Sequence, residues 1–186
     1  MAMNKNLSIT TLKINGLNAP IKRPRTAEWI RNHDPYVCCL QETHIRTKDI
    51  HRLKEKTWKQ IFQANGQEKI AGVEKLISDK IVFNKRAIKR DPEGHFIILK
   101  GRIHQEDINI VNTYAPNIGA HKYINKILED FRKDIDSNAI IVRDFNTPLS
   151  KIDRSSKQNI NKDMPALNNV LDEMDLTDIY RAFHPK

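Results

Sequence analysis

The chain has 186 residues, 39% hydrophobic and 30% charged, which is the size and make-up of one globular domain and too apolar for a disordered chain. No apolar run approaches the ~20 residues of a membrane span, and Met1–Leu7 shows no apolar stretch ahead of a cleavage site, so neither a membrane protein nor a secreted one is expected. Thirty-two Lys and Arg against 23 acids give +9 and a pI near 9.6, a surface that attracts polyanions, nucleic acid first.

In chain order, Leu7–Asn15 reads as a strand, with Ile9, Leu12 and Ile14 among polar residues. Arg25–His33 reads as a helix around Ala27, Trp29 and Ile30, stopped by Asp34-Pro35. Tyr36–Gln41 is a continuous apolar run of strand length, as for a strand buried on both faces. Its adjacent Cys38 and Cys39 point to opposite faces, cannot easily bridge, and read as buried thiols of a reducing compartment. Ala71–Ser78 looks like a core strand interrupted by Glu74 and Lys75. Alternation sends one charge to each face, so this strand is expected either at a sheet edge or weakened. Further strands are expected at Lys80–Phe83, His95–Lys100, Ile108–Asn112 and Ala139–Val142. Tyr123, Ile127, Leu128, Phe131 and Ile135 recur at helical spacing, as do Leu167, Val170, Leu171 and Met174, with Asp163 as N-cap and Pro165 in the first turn of that last helix. The order implies an α/β fold.

Four polar clusters follow apolar runs, where ligand chemistry gathers in α/β sheets. They are Lys13-Ile14-Asn15-Gly16, Gln41-Glu42-Thr43-His44, Asn112-Thr113-Tyr114-Ala115-Pro116-Asn117 and Arg143-Asp144-Phe145-Asn146. Alternation places Lys13 with Asn15, and Asp144 with Asn146. Taken singly, Glu42 reads as well as a surface acid, Asp144 as a turn former and Tyr114 as a core aromatic. Together they suit phosphodiester hydrolysis. Glu42 would offer a hard carboxylate to Mg²⁺ with Asn15 in support, and Asp144 would act as base toward water. Asn146, Tyr114 and His44 would donate to phosphate oxygens.

These clusters, with Asn15-Gly16-Leu17-Asn18, Leu40-Gln41-Glu42-Thr43-His44, Tyr114-Ala115-Pro116-Asn117 and Asp144-Phe145-Asn146-Thr147-Pro148-Leu149, resemble the endonuclease/exonuclease/phosphatase superfamily. The nearest likeness is to endonuclease domains of mammalian long-interspersed (non-LTR) retrotransposons. It extends through Asp34-Pro35, His51-Arg52-Leu53-Lys54, Gln63-Ala64-Asn65-Gly66, Lys89-Arg90-Asp91 and Asp178-Ile179-Tyr180-Arg181. It implies one DNase I-like domain over residues 1–186, a four-layer α/β sandwich of two mixed sheets flanked by helices, with its last strands missing. It also implies a Mg²⁺-dependent DNA endonuclease, with Mn²⁺ as the alternative ion, that leaves a nick with a 3′-hydroxyl. Catalytic roles fall to Asp144, Asn146 and Tyr114, metal ligation to Glu42, and support to Asn15 and His44. DNA contacts are expected from Lys22, Arg23, Arg25, Lys89 and Arg90. The expected setting is intracellular, nucleus or cytoplasm. The expected form is a monomer derived from or fused to a reverse-transcriptase polyprotein, with DNA and no membrane as partner.

The chain departs from the family pattern in four places. Lys13 stands where the family has Asn, which sets a fixed cation against the metal. Arg143 stands where the family has Gly, and Glu74-Lys75 where it has apolar residues. The family domain also continues past Lys186 to a Ser-Lys-Ile-Asp-His-type segment and a terminal Asp-His pair. Impaired turnover is therefore expected, and two alternatives stand beside the nuclease: a catalytically impaired nucleic-acid-binding remnant, and a phosphoesterase acting on a small phosphoester.

Overall fold

The computed structural model describes residues 7–45, 58–66, 71–116, 120–146 and 163–183. His51–Lys54, Asn117 and Thr147–Leu149, all named above, lie outside the described residues. The chain forms two compact units. Residues 1–114 with 136–144 make the first, and residues 115–135 with 145–186 the second.

The first unit holds two four-stranded mixed sheets. Strands β1 (Ile9–Lys13), β2 (Val37–Gln41), β3 (Trp58–Ala64) and β4 (Val73–Ser78) form one, in the order β1-β2-β4-β3. Strands β5 (Phe83–Arg90), β6 (Phe96–Ile103), β7 (Glu106–Tyr114) and β8 (Ala139–Asp144) form the other, in sequence order. β1 runs parallel to β2, and β7 parallel to β8, while the remaining pairings are antiparallel. Alternation explains how the sheets join. Val37, Cys39, Val73 and Ile77 point inward and meet Ile97, Leu99, Ile110, Tyr114 and Val142 in one core. The opposite parity, Cys38, Leu40 and Leu76, points outward and packs under Ile30 and Trp29 of helix α1 (Lys22–His33). The β2 run is buried at every position because both its faces are covered, as its unbroken apolar sequence requires. Cys38 and Cys39 are free, buried thiols.

Asp34 closes α1 in a left-handed conformation (φ 46°), its N–H donating to Ile30 O, and Pro35 forbids a further turn. The helix starts three residues earlier than its apolar spacing predicts, because Pro24 fits the first turn, where its missing N–H costs nothing.

Lys80–Phe83 is not a strand. Residues 79–80 form a turn, and β5 only begins at Phe83. β5 is the exposed edge of its sheet, so it needs no apolar stripe and is written instead in Asn84, Lys85, Arg86, Lys89 and Arg90, charges that guard an open edge. Nor is Ala71–Ser78 an edge: β4 lies between β2 and β3 and is buried at every residue. Its charges are accommodated singly. Lys75 points into the core and donates to the carbonyls of Ile97, 2.9 Å away, and Ile110. Burial pushes its ammonium down to about 7. Glu74 takes the outer face, where burial pushes its carboxyl up to about 8, opposed by the nearby Thr43 hydroxyl.

The second unit carries helices α2 (Ala120–Phe131), α3 (Asp163–Glu173) and α4 (Ile179–Phe183). Ile124, Ile127 and Phe131 form the buried stripe of α2, which packs on α3. Arg132 and Glu173 pair across them at 2.8 Å. Asp163 is the first residue of α3 rather than the residue before it.

Candidate active site

β1, β2, β7 and β8 end at a common rim of the first unit, and that rim gathers most of the polar residues singled out in the sequence. The parallel register of β7 and β8 sets Tyr114 beside Asp144, both with inward parity. Across the sheet interface, β1 and β2 end at the paired Lys13 and Gln41, and Glu42 follows. Beyond β1 and β2 the two segments stay paired, and the second also pairs with the residue that precedes β4. Gly16 N–H donates to Glu42 O at 2.7 Å, Leu17 N–H to Thr43 O at 2.8 Å, and Thr43 N–H to Gly72 O at 3.1 Å.

The backbone there is strained. Asn15 (φ 52°), Glu42 (φ 53°) and His44 (φ 55°) all adopt the left-handed region, which non-glycine residues enter at a cost of roughly 1–3 kcal/mol each. Such strain persists only where the surroundings enforce it. Gly72 is part of that enforcement: at φ 139° it runs so close to Thr43 that a Cβ would come within 2.4 Å of the Thr43 hydroxyl. β1 stops at Lys13 and Asn15 turns left-handed, so the strand alternation behind the expected shared face of Lys13 and Asn15 ends there.

Lys13 decides the electrostatics. Its Nζ lies 2.8 Å from Asp144 Oδ2 and 3.1 Å from Glu42 Oε1, so one ammonium holds both carboxylates. Glu42 is nearly buried, with 8% of its side chain exposed, against 20% for Asp144 and 41% for Lys13. Burial lowers the Lys13 pKa, but hydrogen bonds to Asp144 and Glu42 outweigh it and the net shift is upward, so Lys13 stays cationic. Burial, with the charges of Glu42 and Asp91, pushes the Tyr114 phenol up to about 12, so it is a neutral donor. Burial also lowers His44, assisted by Lys22 and opposed by Glu42, which keeps the imidazole neutral at pH 7. Its ring lies over Gly16, where a Cβ would stand 3.1 Å from His44 Nδ1.

Two residues not singled out for the site join it. His95 stacks obliquely on Tyr114, with ring centroids 5.1 Å apart. Asp91 accepts the His95 backbone N–H at 2.8 Å and lies 3.3 Å from its Nδ1. Burial alone would raise Asp91; the His95 hydrogen bonds turn the net shift downward. The spacing of four between Asp91 and His95, at the β5–β6 turn, was the available signal. Behind the rim, Asn112 ties the sheets together. Its amide donates to Leu40 O and Glu74 O and accepts from Gln41 Nε2 at 3.0 Å.

Asn146 belongs to the second unit, is exposed, and has φ 48°, so the alternation expected to pair it with Asp144 ends at β8. Its amide donates to Ala115 O at 2.7 Å. Lys22 and Arg23 spend donors on the loop after β1, on Asn15 O, and on Leu17 O and Asn18 O. Arg25 and Lys89 are exposed, and Arg90 donates to Gln63 O. Arg143 sits in regular strand opposite Thr113, without positive φ, so nothing in its own backbone demands glycine.

Two carboxylates sharing one position are a donor set suited to a hard divalent ion. Here the ammonium fills that position, and among the described residues no three His, Cys, Asp or Glu cluster to hold a metal. As arranged, these side chains do not fit one.

No protein-family model matches the chain. Among solved structures it superposes on an AP endonuclease from Archaeoglobus fulgidus (TM-score 0.71, 19% identity, 97% of this chain and 76% of that one). It also superposes on the AP endonuclease LMAP of Leishmania major (0.74, 15%, 96% and 69%). The fold is that of these AP endonucleases. Another structure of this fold, the endonuclease domain of the telomere-specific non-LTR retrotransposon TRAS1, matches at TM-score 0.63 and 13% identity, over 91% of this chain and 71% of that one. In sequence, the chain is 27% identical over 184 residues to the Xenopus laevis transposon TX1 uncharacterized 149 kDa protein, and 28% identical over 145 residues to the Danio rerio DNA repair nuclease APEX1. It spans 14% of the first relative's length and 44% of the second's. Two packed mixed sheets with few helices, the fold expected from the sequence, are thus the fold these solved structures share.

Proposed function

We propose that the chain is part of a DNA endonuclease domain of a non-LTR retrotransposon whose present sequence binds DNA and turns over weakly. One observation carries this reading: Glu42 and Asp144 face a single cation position at the strand ends, beside Tyr114, and Lys13 stands in it. The transposon and repair-nuclease relatives support DNA as the polymer, and the +9 charge supports a polyanion. The reaction is hydrolysis of a phosphodiester to leave a nick. Mg²⁺, or Mn²⁺ in its place, is the ion the superfamily resemblance implies, with Glu42 as its ligand once Lys13 is withdrawn. Bound, it would stabilise charge on the phosphate.

The residues then divide the work. Asp144 is the acceptor for a proton from attacking water, an office it cannot fill freely while its Oδ2 holds Lys13. Tyr114, neutral across the physiological range, donates its phenol to a non-bridging oxygen. Asn15 and His44 support the rim. The parent product is proposed to prime a reverse transcriptase of the same polyprotein.

The test is conversion of supercoiled plasmid to nicked circle in Mg²⁺, alongside a gel shift in EDTA. The expected result is salt-sensitive DNA binding that ignores EDTA, with faint nicking that Glu42→Ala abolishes. Nicking left unchanged in Glu42→Ala would defeat the site, and absence of DNA binding at low salt would defeat the substrate.

A further inference from the structure

Two carboxylates held at one point repel each other unless a cation lies between them. Here the cation is part of the chain. Lys13 closes β1 in one sheet, Asp144 closes β8 in the other, and Glu42 follows β2, so its two ion pairs tie three strand ends across the sheet interface. The atoms engaged are Glu42 Oε1 and Asp144 Oδ2. A divalent ion held by these same two carboxylates would need the position the ammonium fills. Lys13 and a divalent ion therefore exclude each other. Because its side chain is 41% exposed, Lys13 can swing aside, which makes the exclusion a competition and gives it a measurable size.

We propose that Lys13 is a built-in cation replacing the divalent ion at the Glu42–Asp144 pair, assembling the strand ends without metal and holding divalent ions out. The inference rests on the site of the reading above but not on its substrate. Removing the ammonium should do two things at once. The carboxylates, no longer neutralised, lower the stability of the metal-free protein. The same pair then takes up Mg²⁺ or Mn²⁺, and the ion restores what was lost.

The test needs no DNA. Mn²⁺ binding to the 186-residue chain is read by the EPR signal of free Mn²⁺, and thermal midpoints are measured in EDTA and in millimolar Mg²⁺. Lys13→Met and Lys13→Asn are expected to bind Mn²⁺ at least about tenfold tighter than the native chain, and to gain midpoint on adding Mg²⁺. Lys13→Arg, which keeps the charge, should behave as native, and Glu42→Gln added to Lys13→Met should abolish the gain. Native protein that binds Mn²⁺ as tightly as Lys13→Met overturns the proposal. So does a folded Lys13→Met or Lys13→Asn that gains no Mn²⁺ site. Failure of plasmid nicking would count against the hydrolytic reading alone.

Discussion

Glu74 and Lys75, adjacent on β4, show what one residue each can ask of a fold. With its carboxyl at about 8 instead of 4.5, Glu74 favours the folded state fully below pH 4.5 and loses that contribution as pH rises through about 8. Lys75, at about 7 instead of 10.5, contributes fully above 10.5 and loses it as pH falls through about 7. The two slopes cancel between about 7 and 8, so stability due to this pair is lowest there and rises on either side. Relative to the native chain, Glu74→Gln should gain stability as pH climbs from about 4.5 to 8, by at most ~1.4 kcal/mol per pH unit. Thermal midpoints across that range would show it, and a constant offset would contradict it. The sequence correctly flagged the pair as anomalous. What it lacked was that an inward Lys75 meets two main-chain carbonyls, since Ile97 and Ile110 lie far along the chain and only sheet packing brings them near. The ion pairs of Lys13 were half legible in the same way. That Lys13 would oppose a metal was what the family resemblance implied, but its partnership with Asp144 needed the second sheet.

At the scale of elements, β2 announced itself, whereas the half-buried β3 and the exposed β5 did not. β2 is apolar because both its faces are covered, and β1 alternates because one parity meets the core and the other meets α1. β5 is open to solvent along most of its length, so its polar sequence carried no strand signal. Asn112 shows how an element can depend on a polar core residue. Its side chain satisfies Leu40 O and Glu74 O of the opposite sheet while accepting from Gln41, all of it buried. Asn112→Ala strands these groups out of reach of water, and the expected loss is about 3 kcal/mol. A urea unfolding midpoint that fails to move would refute that role. Gly72→Ala should be costlier still to the rim, because both its φ and the Thr43 hydroxyl oppose a Cβ. Circular dichroism on melting would show the earlier transition.

Across the whole molecule, charge and chemistry are set apart. The chain carries +9, yet the site holds two carboxylates and one ammonium, a net negative point that would turn a phosphate away. DNA held by the basic surface alone should therefore bind with an affinity that falls linearly in log[salt], and neutralising Lys13 should hardly change that slope. A slope that collapses on Lys13→Met would place a phosphate at the site instead. The fold was readable from the motifs because each sits where a strand ends. The relation of Asn146 to Asp144 was not, because strand alternation stops at β8. Glu42 and Asp144 share one position, and Lys13 fills it. Anomalous scattering from Mn²⁺-soaked crystals addresses it directly. The expected result is a peak between the two carboxylates in Lys13→Asn and none in the native chain. A peak there in the native protein, or its absence from the variant, would contradict it.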